Sequence, residues 1–199
     1  MPAETPFTGA KEVHVVSLDM LWLPILVATV LVFVASNLVW MVLPHHKKDT
    51  RRLPDEGAAL EVLGKQGLTP GIYRFPWAEM SEMNNPAVVE KFARGPVGLL
   101  TVRPSGPYGM AKPLAAWVAY IVVITVLVAL IAERMLGQRA PYISVFRRVG
   151  AVAILAYSAG NLPNAIWWGK PWRNTWFEVA DGVLYGLLTA GSFGWLWPR

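Results

Sequence analysis

Residues 21–43, "LWLPILVATVLVFVASNLVWMVL", carry no charged side chain. A run this long meets the roughly 20 residues that a bilayer core demands of a helix. It does not read as a cleaved leader, because acids accompany Lys11 ahead of it, its apolar core is too long, and no small-residue cleavage site precedes a soluble domain. An uncleaved first transmembrane helix is expected over 20–44, after an N-terminal tail over 1–19.

Three further runs repeat the theme. Residues 113–133 open on Pro113, which suits a first helical position because its missing N–H would have no partner there. Residues 145–168 are less pure, and Pro163 should bend them. The last run covers 176–197. Tryptophans punctuate these boundaries: Trp22 and Trp40 bracket the first, Trp117 opens the second, Trp167 and Trp168 close the third, and Trp172, Trp176, Trp195 and Trp197 flank the fourth. Amphipathic rings collect at the headgroup level and mark depth. Charged residues make up only 16% of the 199-residue chain, against about 25% in an ordinary soluble domain. The expected fold class is an all-α integral membrane protein with four transmembrane helices and a small α+β cap in the first loop.

The first span is followed by "HHKKDTRR", holding Lys47, Lys48, Arg51 and Arg52, whereas Lys11 alone precedes it. The positive-inside rule then places the cap in the cytoplasm and both termini outside. These four cations should contact anionic lipid headgroups. Arg134, Arg139, Arg147 and Arg148 flank the opposite turn and weaken the bias. Within the cap, 45–112, "LPDEGAALEVLGKQG" has acids in a first turn and Gly67 as a stop, "GIYRF" and "GLLTV" read as strands, and "NPAVVEKFARG" reads as a helix between them. A unit of this size buries too little surface to be robust alone, so it should lean on the bilayer or a partner.

The polar residues inside the apolar runs gather at one end. The third and fourth runs are joined by a short turn and must form an antiparallel hairpin. Asn161 and Asn164 lie just before that turn, Glu178 and Asp181 just after, and Asn37 lies near the same end of the first helix. At about 1.5 Å per residue, Asn37, Asn161 and Asp181 fall about 10 Å inside one interface. Glu178, Asp181 and Tyr185 share a helix face. Beside it runs a ridge of small residues, Gly182, Gly186, Ala190 and Gly194, of the kind that lets helices approach closely in lipid. Either the acids accept hydrogen bonds from the asparagines and seal a helix seam, or they form a proton or cation site.

Other chemistry is poorly represented. With no cysteine, disulfides, thiolate metal sites and Cys nucleophiles are excluded. His45 and His46 beside Asp49 raise a metal site. Adjacent histidines, however, point apart on regular backbone, and the third, His14, precedes the first span, so no metal or cofactor is expected. No Ser/His/Asp arrangement is visible, and "RPSGPYG" lacks the lysine and helix entry of a phosphate loop, so no catalytic residue is assigned. The net charge of +5 fits juxtamembrane loops better than nucleic acid, since basic and aromatic residues do not interleave. The two halves differ in hydropathy, which speaks against an inverted-repeat transporter.

The strings "WMVLPHHKKDTRRLPDE", "GIYRFP", "ARGPVGLLTVRPSG", "NLPNAIWWGKPWR" and "DGVLYGLLTAGSFGWLWP" resemble an uncharacterised family of small bacterial inner-membrane proteins with four predicted transmembrane helices. The resemblance implies location in the bacterial inner membrane and brings no activity or site residue. The function expected is that of a non-catalytic accessory or assembly subunit, partnered by lipids and other integral membrane subunits. The alternative is a small transporter or channel-like protein using Glu178, Asp181, Asn161, Asn164 and Asn37 as a polar pocket; an enzyme or binder acting on lipid or quinone at the interface is a third option.

Overall fold

The computed structural model describes residues 16–107 and 109–199, so Lys11 and His14 lie outside the described residues. Helix α1 (Trp22–Asn37) is entered through a 3-10 turn, Leu18–Leu21, and leaves through a π-helical turn, Leu38–Val42. Helix α2 (Glu56–Lys65), strand β1 (Gly71–Phe75), helix α3 (Pro86–Arg94) and strand β2 (Gly98–Val102) form the cap. The remaining helices are α4 (Ala111–Met135), α5 (Tyr142–Ser158), α6 (Leu162–Trp168) and α7 (Trp172–Leu196). One 3-10 turn, Ala159–Asn161, separates α5 from α6 just ahead of Pro163.

Three stretches are long and apolar enough to cross a membrane: Leu18–Val42, Ala111–Met135 and Tyr142–Trp168, of 25, 25 and 27 residues. Four had been expected. Helix α7 is also 25 residues long, but Arg173, Glu178 and Asp181 fall in its first ten positions and lower its apolarity. It begins at Trp172 rather than 176, because Pro171 has the extended backbone that starts a helix.

The bundle is apolar outside, and its largely apolar interior also holds a set of buried hydroxyls. Leu26, Val30, Val34, Val123 and Leu127 are exposed, while Thr29, Thr125, Thr175, Thr189 and Ser192 are buried. That distribution suits lipid, where hydrocarbon solvates the outer face and interior hydroxyls need partners. Thr29 and Thr125 meet across α1 and α4 at 3.3 Å, and each also donates to a carbonyl of its own helix, Ile25 at 2.8 Å and Ile121 at 3.0 Å. Trp117 Nε1 on α4 donates to Ser36 Oγ on α1 at 2.8 Å.

Helix α7, the least apolar of the long helices, is heavily buried, packed against α5 and α1. The α5 contact is close and antiparallel. A Cβ on Gly182 would lie 2.8 Å from the Tyr157 backbone, and one on Gly186 would lie 2.7 Å from the Ile154 nitrogen. Further along, Ala190 faces Gly150 and Gly194 faces the Tyr142 ring. The small-residue ridge thus lies along α5, and a side chain at Gly182 or Gly186 would force the helices apart.

The cap has its local signals in order but no core. Asp55 caps α2 by accepting from Ala58 N–H, and Asn85 caps α3 by accepting from Ala87 N–H. The strands pair antiparallel with Gly71 opposite Val102 and Phe75 opposite Gly98. Among the described residues of 51–107, none is buried.

Candidate functional site

The chain leaves the first span through Pro44, which with His45 to Lys48 forms a 3-10 turn. That turn folds back onto the beginning of α7. Arg173 donates to Asp49 Oδ1 at 3.2 Å and to the His45 carbonyl at 3.0 Å, while Asn174 donates to the Asp49 carbonyl at 3.1 Å. The Arg173 guanidinium also lies 4.7 Å from the Phe177 ring centre. Trp40 stacks on the His46 ring with 3.9 Å between centres and 4° between planes. These contacts order both histidines.

His46 sits between two carboxylates. Its Nδ1 is 2.5 Å from Asp49 Oδ2 and its Nε2 is 2.8 Å from Asp181 Oδ2. His45 Nε2 approaches the other oxygen of Asp181 at 3.7 Å. A neutral imidazole has one N–H and can donate to only one carboxylate; the protonated ring donates to both. Burial, the largest influence, pulls the His46 pKa down. Its hydrogen bonds to Asp49 and Asp181, with the charges of both, outweigh burial and raise it above the ordinary 6.5.

Asp181 also borders a cavity of about 540 Å³ between the π-helical turn after α1, α4, the end of α5 and α7. Trp40, Trp117 and Tyr120 supply aromatic walls; Tyr157, Asn161, Lys170, Glu178 and Tyr185 supply polar ones. Lys170 pairs with Glu178 Oε1. Among the described residues, three buried side-chain atoms have no hydrogen-bond partner: Glu178 Oε2, Tyr157 Oη and Tyr185 Oη. All three belong to residues lining this cavity. Thr189 lies near Tyr157, and Trp40 near Tyr185, without a hydrogen bond of ordinary geometry. Unpartnered polar groups inside a bundle cost about 1–3 kcal/mol each.

The six residues of the expected polar cluster are only partly brought together. Asn161, Glu178, Asp181 and Tyr185 share the cavity. Asn37 turns its amide back to the Phe33 carbonyl at 2.7 Å and lines a neighbouring groove with Ser36 and Trp117. Asn164 is exposed, and its carbonyl accepts from Lys170 N–H. Nor do asparagines serve the acids: Asn161 donates to the Tyr157 carbonyl, while Asp181 takes His46 and Glu178 takes Lys170. Lys47, Lys48, Arg51 and Arg52 are all exposed, and Arg52 approaches Glu56 at 3.4 Å.

Sequence reasoning missed His45, His46 and Lys170 as neighbours of the acids. Adjacent side chains diverge on a strand, an α-helix or a 3-10 turn, yet side-chain rotation and the contacts with α7 bring both rings together, 46° apart with 4.3 Å between centres. Pro44 was the local signal for that turn. The partner, 135 residues further on, left none. Compared with protein families, curated proteins and solved structures, the chain finds no match.

Proposed function

We propose that the protein is a non-catalytic integral membrane protein that receives a small cationic amine in this cavity, the kind of site a small transporter or channel-like protein would use. The carrying observation is the set of three unpartnered oxygens on the residues that line it. An ammonium group offers three donors and no acceptor, the chemical complement of one carboxylate oxygen and two phenolic oxygens once side-chain rotation turns them to the cavity. Aromatic faces such as Trp40, Trp117 and Tyr120 attract cations. The reading takes α7 as a fourth span, since its length equals that of α4 and it lies between α1 and α5. It sets the cap and the exposed cations Lys47, Lys48, Arg51 and Arg52 on the cytoplasmic face of a bacterial inner membrane, against anionic headgroups, with both termini periplasmic.

The test is equilibrium dialysis of the detergent-purified protein against radiolabelled ethylamine. One saturable site is expected, weakened about tenfold or more by Tyr185→Phe, which removes a hydroxyl with no other partner, or by Glu178→Gln, which also removes the charge that pairs with Lys170. Absence of saturable binding would end this reading.

A second reading, an accessory or assembly subunit of a larger membrane complex, is favoured by the cap. Trp77 and Met80 are 69% and 85% exposed on a unit without buried residues. Apolar groups so displayed suit a partner surface. Stoichiometric co-purification of another membrane protein, lost on Trp77→Ser with Met80→Ser, supports it; a monomer in mild detergent opposes it.

A further inference from the structure

His45, His46 and Asp181 converge, and we propose that they bind a divalent transition-metal ion, with Zn²⁺ the best fit. The inference does not depend on what the amine cavity holds. One ligating atom from each residue, a ring nitrogen or a carboxylate oxygen, lies within 4.8 Å of the other two. Ligand atoms about 2.0–2.2 Å from a tetrahedral ion stand about 3.3 Å from one another. His46 Nε2 lies 2.8 Å from Asp181 Oδ2 and His45 Nε2 lies 3.7 Å from the other oxygen, Oδ1, so side-chain rotations that draw the three ligands together would close the site. Two imidazoles and a carboxylate are donors that suit zinc among the common biological cations, and three protein ligands leave a fourth position for water or another small ligand.

The surroundings have the outer arrangement of a metal centre. Metal-bound histidines hand their second nitrogen to a carboxylate, which fixes tautomer and ring orientation. His46 does so through Nδ1 to Asp49, leaving Nε2 directed at Asp181. Asp49 is held in turn by Arg173 on its side chain and Asn174 on its carbonyl. Trp40 closes one face of the His46 ring, whose side chain is only 2% exposed. His45, at 22% exposed, leaves a route for the ion. A cation between Nε2 and the Asp181 carboxylate joins two groups that, with a neutral ring donating to Asp49, face each other as acceptors.

The experiment uses the full chain purified in detergent without a polyhistidine tag, stripped with chelator and titrated with Zn²⁺ by calorimetry, with Co²⁺ as a spectroscopic probe. One ion per chain is expected, with the visible bands of tetrahedral Co²⁺ and a rise in thermal midpoint on adding Zn²⁺. His45→Gln, which leaves the His46–Asp181 contact intact, should weaken binding by about tenfold or more, as should Asp181→Asn. Asp49→Asn keeps all three ligands and should weaken it by about tenfold to a hundredfold, the usual effect of losing an outer carboxylate. His14→Gln should leave binding unchanged. Absence of stoichiometric binding, or equal affinity in wild type, His45→Gln and Asp181→Asn, overturns the proposal. So does a loss confined to His14→Gln. Ethylamine dialysis of the stripped protein reads the cavity separately, so failure of one site is not mistaken for failure of the other.

Discussion

His46 Nε2 lies 2.8 Å from Asp181 Oδ2, joining the turn after the first apolar helix to the N-terminal half of α7, the helix packed on α5. Asp181 thereby has two neighbourhoods, the histidine turn on one side and the aromatic cavity on the other. Anything bound to either is felt by the same carboxylate.

The pair should be energetically coupled. Removing one member of a buried ion pair strands the other, at a cost of about 3–5 kcal/mol. Asp181→Ala and His46→Ala are each expected to destabilise the chelator-treated protein by about that amount. The double variant should lose much less than the sum. Unfolding of all four proteins in a denaturing detergent series measures the coupling; additive losses would show that the contact contributes nothing.

Stability of the metal-free protein should fall as the medium becomes alkaline. The folded pKa of His46 is raised above the 6.5 of the unfolded chain. The stabilisation is therefore fully present below pH 6.5 and is lost as pH rises through the folded value. Thermal midpoints taken in chelator from about pH 5 to pH 9 should decline, and His46→Gln should remove this component of the slope.

Gly182 and Gly186 should tolerate no side chain, because a Cβ would meet α5 backbone at 2.8 and 2.7 Å. Gly186→Val is expected to cost about 1–3 kcal/mol through forced separation of the helices. Gly191, with nothing within 4 Å of an added Cβ, is the control. Gly191→Ala should be neutral or stabilising by up to about 1 kcal/mol. Equal effects at the two positions would refute close packing of α7 on α5.

The cap should be the first region to open. Limited trypsin digestion in detergent is expected to cut at Lys65, Arg74 and Arg94, all in exposed segments without buried neighbours in the cap, before Arg147 or Arg148 within α5. Mass spectrometry of early fragments decides the order, and first cleavage within α5 would contradict it.

Much of the fold was legible because its causes are local. The charge-free run over 21–43 and the apolar stretch from Pro113 announce helices long enough for lipid, and both appear as such. "GIYRF" and "GLLTV" form the strands Gly71–Phe75 and Gly98–Val102, and "NPAVVEKFARG" forms α3, because Asn85, Pro86 and Gly95 start and stop it within its own length. The fourth run was harder: Glu178, Asp181 and four glycines make α7 less apolar than its neighbours, and burial rather than composition accounts for its place in the bundle.

The sequence alone determined which segments shun water and where acids interrupt them, since hydropathy and turn chemistry act between residues close in the chain. Only the tertiary structure decided what those acids meet. A proline-led turn folded back onto the start of α7, and the packing of α1 beside α7 carried His45 and His46 to Asp181, the latter contact across 135 residues. Asn37 and Asn164, plausible partners by depth, were turned elsewhere by their own backbones and by exposure. Distance along a helix sets a residue's height, but rotation about the helix axis sets its neighbours, and that rotation is chosen by packing.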